Sequence, residues 1–188
     1  IVLPYHKNII KDKFEKTYIS ITYKCNIKDE FVLDLISNLL THGLSSILMF
    51  KLREHYNLIY GISSGTAIYT NNGLFGIYTN TENFDSINLI INTIIETLND
   101  LKEFKVKDLK TNKYENISDK LFNSNKLLIE NGLLSLQLSH TSLGQYMIRQ
   151  FFIYKNRLSG KNKLDEFPQE LQIKNVIKKF NSITKEDI

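Results

Sequence analysis

The chain holds four histidines, His6, His42, His55 and His140. A helix-borne zinc site needs two imidazoles one turn apart, at i and i+4, so that both project from one face. No two of these histidines stand at that spacing, and neither His-x-x-Glu-His nor its inverted form occurs. Glu54 and His55 are adjacent, so on a helix their side chains point apart. No metal site is expected within the chain. Cys25 is the single cysteine, which excludes an internal disulfide and a cysteine-based zinc cluster. It ends an apolar alternation and reads as a small core residue. Ser45 and Ser46 stand at a helix start with no accompanying His and Asp pattern, and read as caps rather than nucleophiles. Taken alone, Arg53 reads as a helix-end cation that caps carbonyls or pairs with a nearby carboxylate. Tyr60, in an apolar strand-like run, reads as a core or interface aromatic. Gly61 and Gly65 in the same run suggest a bulge or a close backbone approach. Asn116-Ile117-Ser118 matches a glycosylation acceptor and is read as chance.

The rest of the chain must hold these residues in place. Its 188 residues suit a single domain spanning 1–188, and 42% hydrophobic content is enough for a substantial core. No run approaches eighteen apolar residues, so no membrane span is expected. The net charge of +4 is spread as mixed Lys and Glu/Asp, which gives nucleic-acid binding little support. The chain opens Ile1-Val2-Leu3-Pro4, with neither an initiator Met nor a signal pattern. The expectation is a piece of a longer chain, with a cytoplasmic location favoured.

Thr17 to Cys25 alternates, with Ile19, Ile21 and Tyr23 on one side and Ser20 and Thr22 on the other, as a half-buried strand does. Residues 29–40 switch to helical spacing, with Asp29 as N-cap and Gly43 as the stop. A second helix is expected from Ser45 or Ser46 to about Tyr56. Residues 58–70 and 74–79 read as strands joined at Asn71-Asn72-Gly73, a hairpin signal because Asn and Gly tolerate positive φ. A long helix starts at Asn83 or Asp85 and buries Ile87, Ile90, Ile91, Ile94, Ile95, Leu98 and Leu101. Residues 105–116 read as a polar link. Residues 117–129 and 133–158 read as helices separated near Gly132. Pro168 falls in the first turn of a helix that runs to about Phe180. Ser182 or Thr184 could cap a further helix. A hairpin-linked sheet with helices on one face is an α+β fold, not a doubly wound parallel one.

Several stretches together resemble the M16 (insulinase or pitrilysin-like) metallopeptidases, specifically their non-catalytic second half. The specific part is Gly43-Leu44-Ser45-Ser46, Leu52-Arg53-Glu54, Leu58-Ile59-Tyr60 and Gly73-Leu74-Phe75-Gly76-Ile77-Tyr78. It is similar to the family's Gly-rich turn, Ser-Ser, Leu-Arg-Glu, Leu-Ala-Tyr and Gly-Leu-Phe strand. Leu133-Leu134-Ser135-Leu136, Gly144 to Phe151 and the ending Ser182 to Ile188 resemble further family stretches. The chain departs from the pattern in keeping one glycine in the turn and in carrying Ile47 where Arg is common. The long glycine-rich loop of the mitochondrial processing peptidase alpha subunit is absent.

The resemblance implies a LuxS/insulinase-like fold and a division of labour. The family's catalytic half binds zinc through His-x-x-Glu-His plus a distant Glu, so zinc is expected in a partner half, on the same polypeptide or a separate subunit. The other half closes the peptide chamber and supplies an Arg and a Tyr seven residues apart, a spacing that Arg53 and Tyr60 keep. Arg brings a permanent cation with forked donors and Tyr a phenolic donor, both suited to peptide oxygens. Two rivals stand beside this reading. One is a relative that kept the fold as a structural or protein-interaction subunit and lost proteolysis; the other is a self-contained α+β domain with an unrelated ligand.

Overall fold

The computed structural model describes residues 16–26, 30–69, 72–157 and 172–188, with backbone only at 153–157. Asp29, Asn71, Pro168 and His6 lie outside the described residues. Strand β1 (Thr17–Cys25), β2 (Ile62–Ile68) and β3 (Gly73–Thr81) form one antiparallel sheet in the order β1-β3-β2. In the register Ile19 faces Thr79 and Ile21 faces Ile77, while Ile62 meets Thr79 from the other side. The hairpin expected between β2 and β3 forms, and Tyr69 N–H donates to the Asn72 carbonyl at 2.8 Å to close it.

Alternation decides what each sheet face meets. Ile19, Phe75 and Ile77 turn inward and are buried, whereas Tyr18, Ser20, Leu74 and Tyr78 on the other face are exposed. Helix α1 (Glu30–Thr41) packs on β2 and buries Leu35, Leu39 and Leu40. Each fully buried Leu or Ile contributes about 1.5–3 kcal/mol of apolar transfer free energy. The helix–strand seam is polar as well: Ser64 Oγ lies 2.9 Å from Ser37 Oγ and 2.8 Å from Thr41 Oγ1. This architecture is the expected α+β arrangement.

A second helical segment begins as α2 (Ile47–Met49) and then widens into a π-helix over Phe50–His55. The expected plain α-helix to Tyr56 is therefore corrected. Ser46 takes the N-cap position, but its hydroxyl turns back to donate to the Gly43 carbonyl at 2.7 Å instead of capping the helix. Helix α3 (Ile87–Leu101) follows a 3-10 turn, Phe84–Ser86, where Asn83 Oδ1 accepts from Asp85 N–H. Its buried face includes Thr93 and Thr97 with Ile90, Ile94 and Leu101, while Ile95 is exposed against expectation.

The stretch read as a polar link forms a small hairpin, β4 (Lys105–Lys107) with β5 (Tyr114–Asn116). Helix α4 (Asp119–Ser135) starts after Ile117, capped by Ser118 Oγ accepting from Leu121 N–H, and runs straight through Gly132. The break falls instead at the 3-10 turn Leu136–Leu138, before α5 (His140–Arg157). Helix α6 (Ile173–Ser182) packs Val176 and Phe180 with Leu35, Leu39 and Phe122 in a second buried cluster. Thr184 then caps a single 3-10 turn, Lys185–Asp187. Among the described residues no helix is long and apolar enough to cross a membrane.

Candidate functional site

Arg53 sits on the π-helix, and the backbone that follows explains how Tyr60 comes to meet it. A Schellman-type helix ending carries one residue in the left-handed region and returns its next N–H to a carbonyl five residues back. Here Asn57 is that residue, with φ of 51°, and its N–H donates to the Arg53 carbonyl at 3.1 Å. The widened helix lengthens the other return, because Leu58 N–H reaches the Leu52 carbonyl at 2.9 Å, six residues back. Tyr56 N–H likewise donates to the Lys51 carbonyl at 3.0 Å. The chain thus doubles back beneath the helix end. Buried Leu52 and Ile59 anchor the two limbs in the core.

The consequence is direct contact between the two residues singled out by sequence. The Arg53 guanidinium carbon lies 5.4 Å from the Tyr60 ring centroid, over the ring face. Arg53 Nε also pairs with Glu54 Oε1 at 3.5 Å, both side chains being partly solvated. Tyr60 is 82% exposed and occupies a bend before β2, which starts at Ile62. The reading of Tyr60 as part of a strand is corrected accordingly, and of its two readings, core or interface aromatic, its exposure excludes the core.

Tyr60 also borders a groove of about 320 Å³, with Lys16, Asn57, Leu58, Asn80 and Glu82 among its walls. Lys16 and Glu82 pair across it at 3.4 Å, so it offers both signs of charge beside neutral carboxamides. Gly61 and Gly65 show no close approach within the chain, since a Cβ on either would meet nothing within 4 Å. The tight glycines of the sheet are Gly73, whose added Cβ would meet Cys25 Sγ at 2.7 Å, and Gly76, whose added Cβ would collide with the ring of Tyr78 lying across it.

Two polar features were not foreseen. Lys51, on the π-helix, is only 4% exposed and donates to Thr97 Oγ1 at 2.9 Å, with Asp100 Oδ2 at 3.8 Å. Burial pushes its ammonium pKa down, and the Asp100 and Glu96 carboxylates oppose that shift. A second cavity of about 360 Å³ is lined by residues of α1, α5 and α6, including Asp34, Tyr146, Arg149 and Phe180. Burial raises the Asp34 carboxyl pKa, against the Thr66 hydroxyl, which donates to its Oδ1 at 2.6 Å, and against the charge of Arg149. Arg53 and Tyr60 are not part of that cavity.

His42, His55 and His140 are all exposed, and the ring of His55 packs edge-on against Tyr56 at 4.9 Å. Among the described residues no group of three or more His, Cys, Asp or Glu side chains could hold a metal ion.

The chain is an α+β domain: an antiparallel sheet with helices on one face, and a Leu-Arg-Glu segment turned back onto Leu-Ile-Tyr. The chain belongs to the peptidase M16 inactive domain family, whose sequence profile matches residues 3–117. It is similar in fold to a protease from Helicobacter pylori, with a TM-score of 0.72 and 18% identity over 94% of this chain and 37% of that one. A conserved protein from Enterococcus faecalis V583 aligns with a TM-score of 0.67 and 14% identity, over 94% of this chain and 36% of that one. The peptidase M16 inactive domain from Pseudomonas fluorescens aligns with a TM-score of 0.64 and 14% identity, over 92% of this chain and 36% of that one. At such identities the likeness shows the fold. The chain spans little more than a third of the length of these structures. No curated protein sequence matches it significantly.

Proposed function

We propose that this domain is the substrate-binding, non-catalytic half of a zinc-dependent M16-type peptidase, closing a peptide chamber over a half that carries His-x-x-Glu-His. The observation that carries this reading is the stacked Arg53–Tyr60 pair beside an open groove. Arg53 presents a permanent cation with five N–H donors, and its ring partner limits the orientations of the guanidinium. Tyr60 presents a phenolic donor at a solvent-facing bend. Donors held in fixed positions bind peptide carbonyl oxygens at little reorganisation cost, and more strongly where negative charge develops on them. In this reading the metal and its ligands lie in the partner half, and this chain's residues bind and orient the peptide.

The test uses the complete protein with its catalytic half. Arg53→Ala and Tyr60→Phe should each lower kcat/KM for peptide about ten- to a hundredfold, the loss of one charge-assisted or transition-state hydrogen bond. Zinc content should be unchanged. Full turnover in both variants would sink the assignment and leave the alternative, a proteolytically inactive interaction subunit. Exposed apolar side chains on α4 (Leu127 and Leu134), in the turn after it (Leu138) and on α5 (Ile148 and Phe152) favour that second reading.

A further inference from the structure

Lys51 is a buried cation that the proposed peptide contacts do not use, and its cost to the fold needs an explanation. A Lys side chain is rarely buried this fully, and a methionine of similar length would fill the same space without desolvating a charge. Its Nζ instead meets Thr97 Oγ1, itself 1% exposed, at 2.9 Å and faces Asp100 Oδ2 at 3.8 Å. Both partners lie on α3, whose buried Ile90, Ile94 and Leu101 belong to the main core. Lys51 stands two positions before Arg53, so the two side chains leave the helical segment on nearly opposite sides. One side is thereby tied to α3 while the other carries the guanidinium.

The backbone of Lys51 acts on the second member of the pair. Its carbonyl accepts the Tyr56 N–H at 3.0 Å, the first of the three bonds that fold residues 56–58 back beneath the helix end. A π-helical segment has weak geometric preference of its own, so its rotation must be set by side-chain contacts. Among these contacts the Lys51–Thr97 hydrogen bond is directional where the packing of Leu48 and Leu52 is not.

We propose that Lys51 is the positioning residue for the Arg53–Tyr60 pair: its ammonium, held by Thr97 and Asp100, fixes the rotation of Phe50–His55, and its carbonyl fixes the return that sets Tyr60 beneath Arg53. This inference rests on the reading of Arg53 and Tyr60 as peptide contacts. Lys51 touches no substrate in it and acts only through the pair.

The experiment compares Lys51→Met with wild type in the complete protein, with and without Arg53→Ala. Misplacement of a binding group by a fraction of its contact distance lowers turnover on the order of tenfold or more. Lys51→Met should therefore lower kcat/KM about tenfold. In the Arg53→Ala background the same substitution should add less than about a twofold loss, since its effect passes through the missing guanidinium. The ring-current shift that Tyr60 imposes on the Arg53 guanidinium resonances should shrink in Lys51→Met, a readout independent of turnover. Should Lys51→Met fail to fold, Thr97→Val removes the same hydrogen bond with little change of volume and carries the same expectations. An equal loss in both backgrounds with an unchanged Arg53 resonance would reduce Lys51 to a structural residue and overturn the proposal, as would full turnover. If Arg53→Ala lowers turnover and Lys51→Met does not, this inference alone fails. Normal turnover in Arg53→Ala removes the peptide-contact reading and this inference with it.

Discussion

Replacing Tyr60 with leucine should leave the fold almost untouched while removing what the site offers a peptide. The ring is 82% exposed and stacks under a guanidinium at 5.4 Å. A cation–π contact at an exposed site is worth about 0.5–1 kcal/mol. The Arg53–Glu54 ion pair, with side chains 37% and 48% exposed, adds about 0–1 kcal/mol. Arg53→Ala should then destabilise by about 2 kcal/mol at most, against a domain stability of about 5–15 kcal/mol. Tyr60→Leu should cost about 1 kcal/mol or less, and Tyr60→Phe, which keeps the ring, almost nothing. Urea unfolding of the single and double variants measures this directly, and the double-mutant cycle should return a coupling of about 0.5–1 kcal/mol. A loss of roughly 3 kcal/mol or more in Tyr60→Leu has the size of a core truncation. That result would refute the argument that Tyr60 is held in place for binding and not for stability.

Two further outcomes test the scaffold around the site. Gly43 has φ of +82° with open space around the position of a Cβ, so Gly43→Ala should cost about 1–2 kcal/mol from backbone strain alone, read as a lowered urea midpoint. Asp34→Asn should stabilise the domain at neutral pH, because burial raises the folded carboxyl pKa above its ordinary 3.8. The folded state then binds more protons than the unfolded state just above that value, so wild-type stability falls as pH rises through the window. The advantage of Asp34→Asn should therefore shrink as pH is lowered towards and below 3.8, which thermal melts across acid pH would show.

Much of this fold was legible because local pattern and tertiary burial agree. The alternation of residues 17–25 puts Ile19 against the core and Ser20 outside, and the period of α3 buries Ile90, Ile94 and Leu101. The readings failed where tertiary contacts overrode local preference. Ile117 is apolar and looked helical, yet it is buried just before the Ser118 cap and its N–H bonds to Phe104. Gly132 costs helix propensity, but its neighbours keep the helix running through it. The Arg53–Tyr60 spacing was visible in the sequence, whereas the stacking of the two was not. That contact depends on a π-helix and a left-handed Asn57, and no hydrophobic period reports either feature. Asparagine after a helical run is a recognised C-cap signal, and Asn57 was the clue available. Lys51 was beyond reach, since a lysine within Phe-Lys-Leu-Arg-Glu looks like an exposed helical charge until Thr97 and Asp100 are seen beside it.

The central claim is that Tyr60 and Arg53 face bound peptide, and proximity is the most direct thing to measure. A photoreactive phenylalanine analogue at position 60 in the complete protein should cross-link to a peptide substrate within a few residues of the scissile bond. Unlabelled peptide should compete the product away. Cross-links confined to solvent or to another protein chain, with no peptide adduct while peptide is being turned over, would contradict the account.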